Sequence, residues 1–189
     1  NNIHFWPFWN AEPDVMGYLG KNASAIESQR NDNPHFTNIF ALGYKYGFHF
    51  ASSAAGITSK FHIANADVDY CGIGLQVHGD GTSGQLVNFS AQGPGTVESS
   101  CAIFAEANRV RLQCANVRAT NFPANGVRAQ GEGTVIMLEN VWVENWNQSG
   151  AGFPGIEAVS PATIIVGRTR WFENGNGAAE MGGNVVVDR

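Results

Sequence analysis

Asn116-Val117-Arg118-Ala119-Thr120-Asn121 and Asn140-Val141-Trp142-Val143-Glu144-Asn145 share one grammar: an opening Asn, apolar residues alternating with other residues, and a closing Asn. Further copies are Asn38-Ile39-Phe40-Ala41, Asn65-Ala66-Asp67-Val68-Asp69 and Thr169-Arg170-Trp171-Phe172-Glu173-Asn174. Asn2-Ile3-His4-Phe5 reads as an earlier copy with a longer insertion after it. The steps between opening residues are 27, 51, 24 and 29, so the longest step spans two units and the period is close to 25 residues.

Working outward, a second alternating stretch precedes the opening residue: Phe61-His62-Ile63, Val110-Arg111-Leu112, Ile136-Met137-Leu138 and Ile164-Ile165-Val166. A third lies before that, at Ala25-Ile26-Glu27, Ile73-Gly74-Leu75-Gln76-Val77, Cys101-Ala102-Ile103-Phe104, Gly126-Val127-Arg128-Ala129 and Gly155-Ile156-Glu157-Ala158-Val159. Three short strands per unit, with no room for a helix within it, describe one coil of a parallel β-helix. A single coil cannot bury its apolar row, whereas a stack can. The period-2 alternation turns one strand face inward. Asn suits the corner because it tolerates the left-handed backbone of a sharp turn, and its amide can bond the Asn above and below.

This predicts an all-β, single-stranded right-handed parallel β-helix of about six to seven coils of roughly 25 residues. Residues 25–189 form the helix. Residues 1–24 form an aromatic segment that serves as first coil or cap, with Phe5-Trp6-Pro7-Phe8-Trp9 as a plug or contact. The final Asn184-Val185-Val186-Val187 stretch opens one more coil. A β-sandwich would place two-residue hairpin signals at strand junctions, but Asp80-Gly81, Asn125-Gly126 and Asn176-Gly177 fall in long loops. The opening Asn-Asn-Ile-His-Phe-Trp reads as the start of a piece of a longer chain.

Composition narrows the function. Eleven basic residues against sixteen acidic ones give a net charge of −5 with no basic run, which argues against nucleic acid and against charge-driven membrane binding. No apolar stretch is long enough for membrane insertion. Cys71, Cys101 and Cys114 lack CxxC spacing and read as buried free thiols. The five His residues show no metal-ligand spacing, so neither a metal nor a cofactor is expected.

The coil grammar with its Asn corner resembles the pectate lyase superfamily. Within it, Asn2 to Trp9, Gly43-Tyr44-Lys45-Tyr46-Gly47 and the Glu-Asn strand ends are similar to bacteriophage tailspikes and related polysaccharide depolymerases. The resemblance implies a homotrimer acting on bacterial surface polysaccharide, located on a virion tail or outside the cell. It supplies no catalytic signature that can be matched residue by residue, and fold alone does not give function.

Stacking places equivalent positions about 4.8 Å apart, so the copies define columns. Aligning Thr169 with Asn140 puts Asp67, Arg118, Trp142 and Trp171 in one outward column, and Asp69, Thr120, Glu144 and Glu173 in the next. Exposed Trp rings stack on sugar faces while carboxylates bond hydroxyls. Glu144 and Glu173 are the first candidates for a catalytic pair, at a spacing of about 5 Å that suits retaining glycosidases. Asp67 and Asp69 are the second candidates. Trp142, Trp171, Trp146, Asn145 and Arg118 are the expected carbohydrate contacts, and the loop from Asn145 to Pro154 is a candidate groove wall. The bland alternative buries the two Trp rings between subunits of a non-enzymatic stalk and leaves the acids as a solvated ladder. A third reading, a polysaccharide lyase, recruits Arg109, Arg111 or Arg118.

Overall fold

The computed structural model describes residues 2–7, 13–94 and 100–188. The chain is a right-handed parallel β-solenoid of about five turns. One sheet runs in stacking order through Ile3–Phe5, His35–Leu42, Lys60–Asp69, Ser83–Gln92, Arg111–Thr120, Val135–Glu144, Thr163–Val166 and Val185–Val187, with Arg170–Glu173 also paired on Val135–Glu144. The second sheet stacks Ser24–Ser28, Tyr46–Phe50, Ile73–Val77, Cys101–Ala105, Val127–Ala129, Ile156–Ala158 and Met181–Gly183. All pairings within these two sheets are parallel. Five strands, His35–Leu42 through Val135–Glu144, continue unbroken across the Asn corner and account for about five full turns, fewer than the six to seven expected, because the rungs at each end are short.

The corner works as its chemistry predicts. Asn38, Asn65, Asn88, Asn116 and Asn140 all adopt φ of 54–55°. Each side-chain amide donates to the Oδ1 of the Asn one rung before it: Asn65 to Asn38 at 3.2 Å, Asn88 to Asn65 at 2.8 Å, Asn116 to Asn88 at 2.8 Å and Asn140 to Asn116 at 2.7 Å. A second ladder begins at the strand ends, where Asn145 donates to Asn121 at 3.0 Å and both residues again have positive φ. At a third corner Asp80 accepts from the backbone and side chain of Asn108, whose Oδ1 in turn accepts from the Glu132 N–H.

Asn88 shows why one step spans 51 residues. Its rung, Ser83–Gln92, departs from the grammar at both ends. It closes on Gln92-Gly93 rather than Asn, and Gly84 stands where the neighbouring rungs carry an inward apolar side chain. A side chain at Gly84 would run into the Phe61 ring, which fills that space and stacks on Phe50 at 3.8 Å. The core is a set of such stacked rows. Ile63, Leu86, Cys114, Leu138 and Val166 form one, and Val68, Ala91, Ala119 and Val143 another, all buried. Burying a side chain of Leu or Ile size contributes roughly 1.5–3 kcal/mol, and a row only exists when coils stack. All three cysteines lie in this core unpaired, and burial pushes each thiol up to about 12.

At the N-terminal end, Ile3 pairs with Ile39 and Phe5 with Ala41, so this segment is an extra rung in register. His4 and Trp6 both pack on Phe40, at ring separations of 5.6 and 5.7 Å. Phe8 and Trp9 of the aromatic run lie outside the described residues. The insertion after the rung contains a helix, Pro13–Asn22, with no buried residue. Among the described residues no helix is long and apolar enough to cross a membrane.

Candidate functional site

The backbone register of the long strands positions the site. Asp67, Ser90, Arg118, Trp142 and Trp171 are successive partners, as are Asp69, Gln92, Thr120, Glu144 and Glu173. These are the two expected columns, with Ser90 and Gln92 supplied by the rung that the repeat did not reveal. Phe40 and Leu42 extend them by one rung toward the N-terminus. The pairing of Trp142 with Trp171 and of Glu144 with Glu173 matches the alignment of Thr169 with Asn140.

Trp142 and Trp171 are 42% and 59% exposed, and their rings lie 6.3 Å apart at 54°. The Arg118 guanidinium sits 5.2 Å from the Trp142 ring centroid and pairs with Glu144 at 3.4 Å. The Trp171 indole N–H donates to Glu173 at 3.2 Å. An aromatic pair, a cation and two carboxylates are thus coupled on one solvent-facing patch.

Beside the patch lies a groove of about 370 Å³, lined among others by Asp67, Asp69, Gln92, Arg118, Thr120 and Glu144. On the other side of the first column, a second depression of about 340 Å³ follows the Asn ladder and shares Asp67, Ser90 and Arg118 with the groove. Phe40 lines one end of the groove. From Phe40 to Trp142 is four rungs, or about 19 Å along the solenoid axis. The arrangement is a polar trough with an aromatic residue near each end.

Within the trough the acids are not equivalent. Asp67 is exposed, whereas Asp69 is partly buried, and its carboxyl is raised above the ordinary range by burial first and by the neighbouring Asp67 second. Glu144 lines the groove; Glu173 does not figure in its lining and lies beside Trp171 on the outer patch. Asn145 lines the groove from its corner, with its amide engaged by Asn121.

Trp146 requires a correction. It was expected as a carbohydrate contact, but it is only 3% exposed, with its ring 5.9 Å from Phe172 and packed against Gly155 and Gly175. The positive φ of Asn145 swings the following residue inward, so Trp146 is a core side chain. The rest of its loop is tied down. Asn147 is buried, accepts from the Gly152 and Phe153 N–H groups, and donates to the Asn176 carbonyl. Gln148 N–H and Ser149 N–H donate to the Phe122 and Pro123 carbonyls one coil below. The loop is bonded onto the coil below, and of its residues only Asn145 figures in the lining of the groove described above.

The three arginines considered for a lyase do not converge. Arg109 pairs with Asp80 at the third corner, Arg111 lies on the far side of the Asn ladder, and Arg118 alone reaches the groove. His35 and His62 lie 4.4 Å apart with their rings tilted by 37°, and His49 and His78, the latter just past the strand Ile73–Val77, lie 5.9 Å apart. Among the described residues no group of three or more His, Cys, Asp or Glu is placed to hold a metal ion. Ser90 and Gln92 are the groove residues that the repeat missed. The signal was present in Asn88-Phe89-Ser90, which stands 23 residues after Asn65 and 28 before Asn116.

No protein-family model matches the chain, and no curated protein or solved structure matches it. Its assignment as a right-handed parallel β-solenoid stands on the register and corner geometry described above.

Proposed function

We propose that this chain is a polysaccharide-binding and glycan-cleaving β-helix of the tailspike-like kind, acting on bacterial surface polysaccharide from a virion tail or outside the cell. The observation that carries the reading is the exposed Trp142–Trp171 pair set beside a carboxylate-lined trough. Two large rings side by side make an exposed apolar patch of the kind that marks a binding surface, and a flat indole fits the apolar face of a pyranose. The trough's length along the axis suits an extended chain, and its polar lining suits hydroxyls.

Two acid pairs are available for chemistry. Glu144 and Glu173 stand on neighbouring rungs at the close spacing of a retaining pair, but both already have partners in Arg118 and Trp171. Asp67 and Asp69 stand two residues apart on one strand, about 6.6 Å along it, which leaves room for a water as inverting hydrolysis requires. Asp69, held protonated to higher pH than an ordinary carboxylate, has the character of a general acid, with Asp67 as the partner that activates water. The geometry favours the Asp pair for catalysis and the Glu pair for holding sugar.

The test is reducing-sugar release from bacterial capsular polysaccharides, exopolysaccharides and lipopolysaccharides, comparing the parent chain with Asp67→Asn, Asp69→Asn, Glu144→Gln and Glu173→Gln. Release abolished by either Asp substitution and weakened by the Glu substitutions supports the assignment. Release abolished only by the Glu substitutions moves catalysis to that pair, and no release from any glycan refutes cleavage.

One observation favours a second reading, a non-enzymatic homotrimeric stalk. Val87 and Met137 are 43% and 45% exposed on the same sheet, beyond the Asn ladder, and border an apolar depression. Side-by-side packing of identical copies would cover them. A trimeric mass by light scattering, with Trp142 and Trp171 shielded from a soluble quencher, supports the stalk; quenchable rings support the glycan site.

A further inference from the structure

Resting on the glycan reading of this face, we propose that the trough takes glycans carrying free amino groups in preference to neutral ones, and excludes uronate-rich chains. Among the described residues four charged side chains line it: Asp67, Asp69 and Glu144 against one cation, Arg118. That cation is committed, paired to Glu144 at 3.4 Å and lying over the Trp142 ring. A carboxylate on a sugar would find no uncommitted cation among the lining residues, and would face two aspartates on one strand. Glu173, beside Trp171, adds a further acid at the C-terminal end of the patch.

An ammonium group has the opposite experience. Asp67 and Asp69 project from the same face of one strand, two residues apart, and a sugar amine between them can bond both. Such a cation relieves the repulsion between the two, and their mutual repulsion is one of the causes that raise the Asp69 carboxyl. Ser90, Gln92 and Thr120 fill the rest of the floor with uncharged donors and acceptors, so hydroxyls and acetamido groups are accommodated without charge. The preference sets this trough apart from a uronate lyase site, which needs positive charge around the sugar acid.

The full chain is titrated by affinity electrophoresis against bacterial surface polysaccharides of three classes: amino-bearing, neutral and uronate-bearing. The pH is held at about 6, where amines are protonated and most carboxylates ionised. The expected order is amino-bearing, then neutral, then uronate-bearing, with about a tenfold span between the extremes at low salt that shrinks at high salt. Asp67→Asn combined with Asp69→Asn narrows that span by weakening amino-bearing chains more than neutral or uronate-bearing ones, and circular dichroism confirms that the variant keeps its strands. Uronate-bearing chains retained as strongly as amino-bearing ones, or a span untouched by the double substitution, overturns the inference and leaves the glycan face intact. Retention of no class overturns the glycan reading itself and this inference with it.

Discussion

Replacing Asn116 separates the two contributions of the corner ladder. Asn116 holds φ at 55°, donates to Asn88 at 2.8 Å and accepts from Asn140 at 2.7 Å. Asn116→Gly keeps the left-handed backbone but removes both bonds. Each is worth about 0.5–1.5 kcal/mol, and the lower part of that range applies because the ladder faces water and its severed partners can be hydrated. The Gly variant should therefore lose about 1–2 kcal/mol, part of it from the added freedom of the unfolded chain. Asn116→Ala loses the same bonds and also the local polar contact by which an Asn side chain offsets the clash of its own Cβ in the left-handed region, which leaves roughly 1–2 kcal/mol of that clash uncompensated. The Ala variant should fall about 2–4 kcal/mol below the parent in urea unfolding, read as a shift in midpoint at constant slope. If Ala is tolerated as well as Gly, the positive φ is not what selects Asn at this corner, and the account of the repeat fails.

Other consequences can be checked in the same apparatus. Trp146→Ala should cost about 3–5 kcal/mol as a core truncation, whereas Trp142→Ala should cost under about 1 kcal/mol because its ring is exposed; similar losses would refute the inward placement of Trp146. Asp69→Asn should stabilise the fold at neutral pH, because the folded carboxyl binds its proton more tightly than the unfolded one, so stability falls as pH rises from the ordinary Asp range through the raised value. That gain should vanish when unfolding is measured below the ordinary Asp range, and a gain that persists there would refute the linkage. Cys71, Cys101 and Cys114, buried and with thiols raised to about 12, should resist a thiol-specific reagent at neutral pH until denaturant is added; fast labelling of the native chain would contradict their burial.

The fold was legible because the β-solenoid writes its period into the chain. An Asn with positive φ recurs at the same corner of five successive rungs, and alternation on both sides of it marks which residues face inward. Register followed directly: the columns holding Asp67, Arg118, Trp142, Trp171 and Asp69, Thr120, Glu144, Glu173 are those of the structure. The rung at Ser83–Gln92 was harder to find because its inward position is Gly84, a residue that only makes sense once the Phe61 ring is known to occupy the space. The helix Pro13–Asn22 was missed because it lies in an insertion outside the repeat, and Gly17 and Gly20 interrupt its short apolar pattern. Trp146 was misread for a different reason. Exposure of the residue after a corner depends on the φ of the corner itself, and Asn145 at 50° turns it into the stack. The trough was only partly legible, since its floor needs Ser90 and Gln92, and the unequal character of its acids needs the partial burial of Asp69.

The central claim is that the face bearing Trp142 and Trp171 is a glycan site. Retention on an array of bacterial surface glycans tests it most directly, comparing the parent chain with a variant carrying both Trp142→Ala and Trp171→Ala. Two stacked rings lost at about 1 kcal/mol or more each predict a drop in affinity of at least about tenfold for every retained glycan. A parent chain that retains no glycan, or a double variant that retains them as well as the parent, would contradict the account.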